Sequence, residues 1–141
     1  MILRRDPATY KKSREERVEI DSQTNELTEK IIGCAYAVAN TLGHGFLEKV
    51  YENALLVELG NKGLRAIQQH PIKVLYDGVS VGDYYADLLI EDRVIVELKA
   101  AKDIDDLHVA QCLNYLKATG IKVCLLINFG KPRIDIRRIV M

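Results

Sequence analysis

The 141-residue sequence is poor in several residue types and has no net charge, and some of these features exclude a class of protein. It contains no tryptophan, three prolines and three cysteines. Twenty lysines and arginines balance twenty aspartates and glutamates, which excludes a general coat of positive charge for nucleic acid but not a local basic patch. No stretch approaches the roughly 18 apolar residues that a membrane-spanning helix needs, so no membrane partner is expected.

The cysteine count limits the chemistry further. Cys34, Cys112 and Cys124 are an odd number without metal-ligand spacing, and each lies in an apolar run. They are predicted to be reduced core residues, which is typical of a cytoplasmic protein. The hydrophobic share of 48% and the charged share of 28% are typical of one soluble globular domain.

The chain divides into a polar start and a periodic remainder. Residues 1–24 carry charges of both signs and are predicted to be an N-terminal extension of a domain at residues 25–141. The extension has no apolar segment of signal-peptide type. Helical spacing of apolar residues predicts a first helix that begins near residue 24 and ends at Leu42, and a second from Phe46 to about Gly60.

The pattern then changes to that of strands and turns. A third helix is predicted to start at 103–106 and to end at Gly120. Strands are predicted at 72–76, 79–81 (a short piece), 84–90, 94–100, 123–128 and 134–140. The predicted order is helix, helix, three strands, helix and strand, with a final strand at the end of the chain.

Charged residues interrupt two of the apolar strands. Glu97 and Lys99 share one face of their strand by alternation, and Asp87 interrupts the strand before it. A three-residue turn at 91–93 would place Asp87 opposite Glu97 on one sheet face, where two carboxylates repel each other. A divalent cation between them would relieve that repulsion, and oxygen ligands favour Mg²⁺ or Mn²⁺. The alternative is an ordinary salt-bridged strand on a solvated face.

Two helix faces carry further polar residues. Glu48, Tyr51 and Glu52 lie on one face of the second helix, where Glu48 could supply another carboxylate. Gln111 and Tyr115 share a face of the third helix, and an amide and a phenol can contact phosphate or position an acid. A solvated helix face is the alternative interpretation in both cases.

These motifs resemble those of a known superfamily. Asp87, followed by Glu-Leu-Lys at 97–99, resembles the split acid and E-x-K pattern of the PD-(D/E)XK nucleases. The sequence QCLNY at 111–115 is similar to the Q-x-x-x-Y motif of the RecB-like branch of that superfamily. The sequence GFLEKVY at 45–51 resembles the signature of the small GxxExxY proteins, a bacterial and archaeal branch. The usual proline before the first acid is replaced by Ala86.

The resemblance implies a fold and an activity. The fold would be a restriction-endonuclease-like α/β core of helix, three strands, helix and strand, with a central mixed β-sheet flanked by helices. The activity would be metal-dependent hydrolysis of phosphodiester bonds in nucleic acid, most of all DNA. Because some RecB-like members hold an iron–sulfur cluster with four cysteines, the three cysteines here predict no cluster.

The resemblance also implies roles for individual residues. The implied metal ligands are Glu48, Asp87, Glu97 and the main-chain carbonyl of Leu98. The implied catalytic residues are Lys99, Glu97, Asp87, Gln111 and Tyr115. A domain that had lost its activity would be expected to lack one of the six polar side chains, and none is lost.

A charge-neutral nuclease needs local phosphate contacts. The candidates are Lys102, Lys117, Lys122, Lys131, Arg133, Arg137 and Arg138. The cluster near the C-terminus is the most concentrated, and a homodimer would double it. The alternative function is a catalytically inactive nucleic-acid-binding or protein-interaction module, because a fold does not by itself establish a function.

Overall fold

The computed structural model describes residues 19–141, so most of the predicted N-terminal extension lies outside the described residues. Within that range the helices are α1 (Ser22–Leu42), α2 (Glu48–Asn61) and α3 (Asp106–Thr119). The strands are β1 (Ala66–Tyr76), β2 (Val79–Ile90), β3 (Val94–Lys99), β4 (Val123–Asn128) and β5 (Asp135–Val140). None of the helices described is both long and apolar enough to cross a membrane.

The strands form one mixed sheet in the order β1-β2-β3-β4-β5. β3 and β4 are parallel, as their connection through α3 requires, and the other neighbours are antiparallel. This confirms the predicted α/β class, with a central mixed sheet flanked by helices. The order of elements is that of the restriction-endonuclease-like core.

Different helices cover the two faces of the sheet. α1 and α2 pack on one face, where Leu88 and Val96 enter the first core cluster. α3 packs on the other face, where Ile95 and Leu126 enter the second. Because both faces are covered, β4 is buried along its whole length and β3 along all but its last residue.

The three cysteines are buried with free thiols, as their apolar surroundings predict. Cys34 lies in the core under α1, whereas Cys112 and Cys124 face each other in the core under α3. Each therefore contributes apolar volume to one of the two clusters.

Most predicted boundaries are within one or two residues of the observed ones, and three differences have a clear physical cause. Asp21 caps α1 by accepting a hydrogen bond from the N–H of Thr24, so the helix begins at residue 22. β1 begins six residues earlier than predicted and includes Pro71, which is tolerated because β1 is an edge strand. β2 continues through the expected break at residues 82–83, because Asp83 pairs with Lys73 of β1.

Candidate active site

Asp87 and Glu97 meet where β2 and β3 separate. Backbone pairing of these strands ends at Leu88 and Val96, and side chains make the next contacts. The N–H of Asp87 donates to Glu97 Oε1 at 2.9 Å. The N–H of Leu98 donates to Asp87 Oδ2 at 2.8 Å. The two carboxylates thus replace backbone carbonyls as acceptors, which fixes them beside each other.

Both acids lie on the α3 side of the sheet. Alternation along β2 puts Asp87 on the face of Leu89, and alternation along β3 puts Glu97 on the face of Ile95. Leu89 and Ile95 both belong to the core cluster under α3. The arrangement agrees with the predicted shared face, although side-chain contacts rather than a ladder pair join the two residues.

The Leu98 carbonyl points toward the same place. In a strand, the N–H and C=O of one residue face the same neighbour, because paired residues exchange both bonds. The N–H of Leu98 faces Asp87, so its carbonyl also faces the gap next to β2. The following carbonyl, of Lys99, faces the opposite side and accepts from the N–H of Phe129 at 2.8 Å.

The electrostatics of the acid pair are unfavourable without a cation. Burial, followed by repulsion from Asp87, raises the pKa of Glu97 from 4.5 to about 8. Burial also raises the pKa of Asp87, with repulsion from Glu52 and Glu48 in the same direction. The two carboxylates have more negative than positive charge around them, and a bound divalent ion would supply positive charge.

Glu48 approaches the pair from α2. Its Oε2 accepts from the N–H of Ala100 at 3.4 Å, and its charge raises the pKa of both Asp87 and Glu97. It is the first residue of its helix and is exposed. An acid in this position is also favoured by the positive end of the helix dipole.

The residues around Glu48 explain the GFLEKVY pattern. Gly45 has a φ of 111°, which a residue with a side chain rarely adopts. The hydroxyl of Tyr51 donates to the carbonyl of Gly43 at 2.7 Å and accepts from the N–H of Phe46 at 3.2 Å. The buried Tyr51 ring stacks on Phe129 with centroids 4.7 Å apart. Glycine and tyrosine therefore shape and hold the loop from which Glu48 starts.

Lys99 ends β3 on the same side as Glu97. Its charge lowers the pKa of Glu97, against the larger effect of burial. Among residues 19–141 no acid lies within salt-bridge distance of Lys99. Its ammonium is thus near the acids without being held by one of them.

Gln111 and Tyr115 of α3 are brought to the acids. Gln111 Nε2 donates to the Tyr115 hydroxyl at 2.8 Å. Burial, followed by repulsion from Glu97, raises the pKa of Tyr115 to about 12, so the phenol stays neutral. The centroid of the Tyr84 ring lies 6.0 Å from that of the Tyr115 ring. Both α3 residues line a cavity of about 950 Å³ that also includes Lys117.

The seven basic candidates do not form a single patch. Lys117 lines the cavity beside Tyr115, whereas Lys122 and Lys131 lie at opposite ends of β4. Three of them already form a salt bridge or a hydrogen bond with another side chain. Lys131 pairs with Asp103 at 3.5 Å, Arg137 pairs with Asp135 at 3.8 Å, and Arg138 hydrogen-bonds Asn25.

Two residues that were not predicted from the sequence as part of the site also contact it. Glu52 is buried beside the site, and Gln69 Nε2 donates both to Glu52 Oε1 at 3.0 Å and to Asp87 Oδ1 at 3.3 Å. The helical spacing did place Glu52 on the face of Glu48. No pattern in the sequence indicated Gln69, because its position depends on a local backbone irregularity.

The oxygen-rich set of side chains fits a hard divalent cation by its chemistry. Asp87, Glu97 and the Leu98 carbonyl supply oxygen only, which is what Mg²⁺ and Mn²⁺ prefer. In residues 19–141, no three His, Cys, Asp or Glu side chains are arranged to hold a metal ion as they stand. Glu48, which contacts the Ala100 N–H, would have to turn toward the pair to complete a ligand set.

Comparison with known proteins gives a family match and a similar solved structure. The model of a family described as the PD-(D/E)XK nuclease superfamily matches residues 25–139. No curated protein sequence matches the chain. A solved structure titled "Crystal structure of SSO0001" is similar, with 22% identity and a TM-score of 0.48, over 82% of this chain and 58% of that one. The chain thus spans less than two thirds of that relative's length.

Proposed function

The chain belongs to the PD-(D/E)XK nuclease superfamily, and we propose that it is a nuclease that requires Mg²⁺ or Mn²⁺ and hydrolyses phosphodiester bonds, with DNA as its substrate. The observation that carries the proposal is the pair of the half-buried Asp87 and the buried Glu97, joined through backbone N–H groups at the end of β3. A carboxylate pair that is costly to bury is typical of a functional site.

We assign the chain to the GxxExxY proteins, within the RecB-like branch. The support is that each motif residue has a physical task. Gly45 and Tyr51 shape the loop before Glu48, and Gln111 and Tyr115 bond to each other beside the acids. A chance match of short patterns would not be expected to bring these residues to one place.

Asp87, Glu97, Glu48 and the Leu98 carbonyl would hold the cation. When bound, a divalent ion activates water for attack on phosphorus and neutralises charge on the phosphate. The protein holds a proton on Glu97 at neutral pH when no metal is present, because the pKa of this carboxyl is about 8. Glu97 would have to release that proton to act as a ligand.

Lys99 and the α3 residues would act on the phosphate. A lysine that is not held by an acid can stabilise the charge that develops on the phosphoryl oxygens. The neutral Tyr115 phenol and the Gln111 amide would orient the strand by hydrogen bonds, with Lys117 in the adjoining cavity. A homodimer and a cytoplasmic location stay predictions from the sequence.

A metal titration followed by a cleavage panel tests the proposal. Mg²⁺ and Mn²⁺ are titrated into the protein, which is then incubated with labelled single-stranded, duplex and branched DNA. Cleavage that requires the metal and disappears in Asp87→Asn supports a nuclease, with the exposed Glu29→Gln on α1 as the matched control. A parent that binds metal or DNA but cleaves nothing would favour the inactive binding module instead.

A further inference from the structure

Glu52 is a buried carboxylate to which the proposed chemistry gives no task. It lies one helical turn after Glu48 and is 4% exposed. Its Oε2 accepts from Gln68 Nε2 at 2.8 Å and from Lys49 Nζ at 2.9 Å. Its Oε1 accepts from Gln69 Nε2 at 3.0 Å. Hydrogen bonding makes such burial tolerable, but an apolar side chain would fill the same space without the cost.

Gln69 joins this buried acid to Asp87. The side-chain amide has two hydrogens to donate. One contact goes to Glu52 Oε1 at 3.0 Å and the other to Asp87 Oδ1 at 3.3 Å. The opposite oxygen of Asp87 accepts from the N–H of Leu98. Both oxygens of this acid are therefore held, and its carboxylate plane is fixed.

The backbone at Gln69 is unusual in a way that serves this contact. Its φ is +51°, although it lies inside β1 and is not a glycine. The regular pairs on either side are Gln68 with Leu88 and His70 with Ala86, so Gln69 is left out of the ladder opposite Asp87. Backbone strain of this kind persists where surrounding contacts hold it, and it is concentrated at functional sites.

We propose that Gln69 is a positioning residue: anchored on the buried Glu52, it holds the Asp87 carboxylate in the orientation that receives a divalent cation. The inference rests on the proposed function, since it assigns a partner to one of the proposed metal ligands. It also gives the buried Glu52 carboxylate a task. Because the Glu52 carboxylate is fixed in the core and only accepts hydrogen bonds, the Gln69 amide has one orientation, with its hydrogens toward Glu52 and Asp87.

Two neighbouring glutamines supply a matched pair of variants. Gln69→Gly removes the bridge, and a glycine accepts the positive φ without strain, so the fold is expected to persist. Gln68→Ala removes a hydrogen bond to Glu52 but no contact with Asp87. A purely structural network predicts similar effects of the two changes on the site, whereas positioning by Gln69 predicts that only Gln69→Gly disturbs Asp87.

The first readout needs no metal. The amide of Leu98 donates to Asp87, so its hydrogen exchange reports whether that carboxylate is held. In metal-free protein we expect exchange at Leu98 to be at least about 5-fold faster in Gln69→Gly and unchanged in Gln68→Ala. Equal exchange in the two variants would overturn the proposal, whether or not the parent is a nuclease.

The second readout is Mn²⁺ affinity by calorimetry. Loss of a residue that orients a metal ligand typically lowers affinity by about 10-fold or more, which is expected for Gln69→Gly, with Gln68→Ala within about twofold of the parent. Parental affinity in Gln69→Gly would overturn the positioning role. A parent that binds no Mn²⁺ would refute the proposed function, and the exchange result would still decide whether Gln69 holds Asp87.

Discussion

Replacing Glu97 with glutamine should stabilise the metal-free protein while it removes metal binding. The carboxyl is 4% exposed and adjoins Asp87, and its pKa is raised from 4.5 to about 8. In the unfolded chain the same group ionises near its ordinary value. Between these two values the folded state therefore binds more protons than the unfolded state, so the free energy of unfolding falls as the pH rises.

The pKa values set the size of the effect. One pKa unit corresponds to about 1.4 kcal/mol, so ionised Glu97 lowers the free energy of unfolding by up to about 5 kcal/mol above pH 8. Glutamine keeps an oxygen for the N–H of Asp87 but brings an amide that needs an acceptor. We therefore expect a net gain of about 2–3 kcal/mol in Glu97→Gln at pH 8, and little difference at pH 5.

Urea unfolding in the presence of EDTA measures this change. The chain has no tryptophan, so circular dichroism at the helix band is the suitable signal. The free energy of unfolding of the parent should fall from pH 5 to pH 8. It should fall less in Glu97→Gln, because Asp87, whose pKa is also raised, is then the one acid of the pair that still contributes to the pH dependence. Glu29→Gln on the exposed face of α1 should stay within about 0.5 kcal/mol of the parent. A Glu97→Gln variant that is less stable than the parent at both pH values would refute the reasoning.

Three further predictions test separate features of the protein, the last with its own control variant. Lys99→Ala should keep the fold and Mn²⁺ affinity but lower the cleavage rate at least about 100-fold, and an unchanged rate would show that the lysine is structural. Tyr115→Phe loses the hydroxyl that accepts a hydrogen bond from Gln111, so it should lower the free energy of unfolding by about 1 kcal/mol. Parental stability would show that this hydrogen bond contributes nothing. At Gly130 an added Cβ would lie 2.3 Å from the carbonyl oxygen of Ala101, so Gly130→Ala should cost about 2–4 kcal/mol in urea unfolding. Gly60→Ala, where α2 has open space, should be neutral or stabilising by up to about 1 kcal/mol; equal losses at the two glycines would contradict the packing argument.

The central part of the sheet was predictable because its residues follow simple rules. β3 and β4 are apolar runs bounded by turn residues, as expected of strands covered on both faces. The three-residue turn after β2 correctly placed Ile90 opposite Val94, and from that register Asp87 beside Glu97. Periodicity and turn length are local properties, and one sequence contains them.

The missed features depend on contacts between distant segments. The first half of β1 has no apolar alternation, and it is a strand because β2 provides hydrogen-bond partners along its length. Asp87 and Glu97 do repel each other as expected, but they are not a ladder pair, because each carboxylate accepts a backbone N–H. Gln69 reaches Asp87 only because its backbone leaves the ladder, which no propensity scale for glutamine predicts.

The central claim is that Asp87 and Glu97 form the metal-dependent catalytic centre. It is tested most directly by DNA cleavage in Mn²⁺ with the parent, Asp87→Ala and Lys99→Ala purified in parallel, with Mn²⁺ affinity measured on the same samples. The account predicts that the parent binds and cleaves, that Asp87→Ala loses both, and that Lys99→Ala binds metal without cleaving. Equal cleavage by the parent and Asp87→Ala would contradict it.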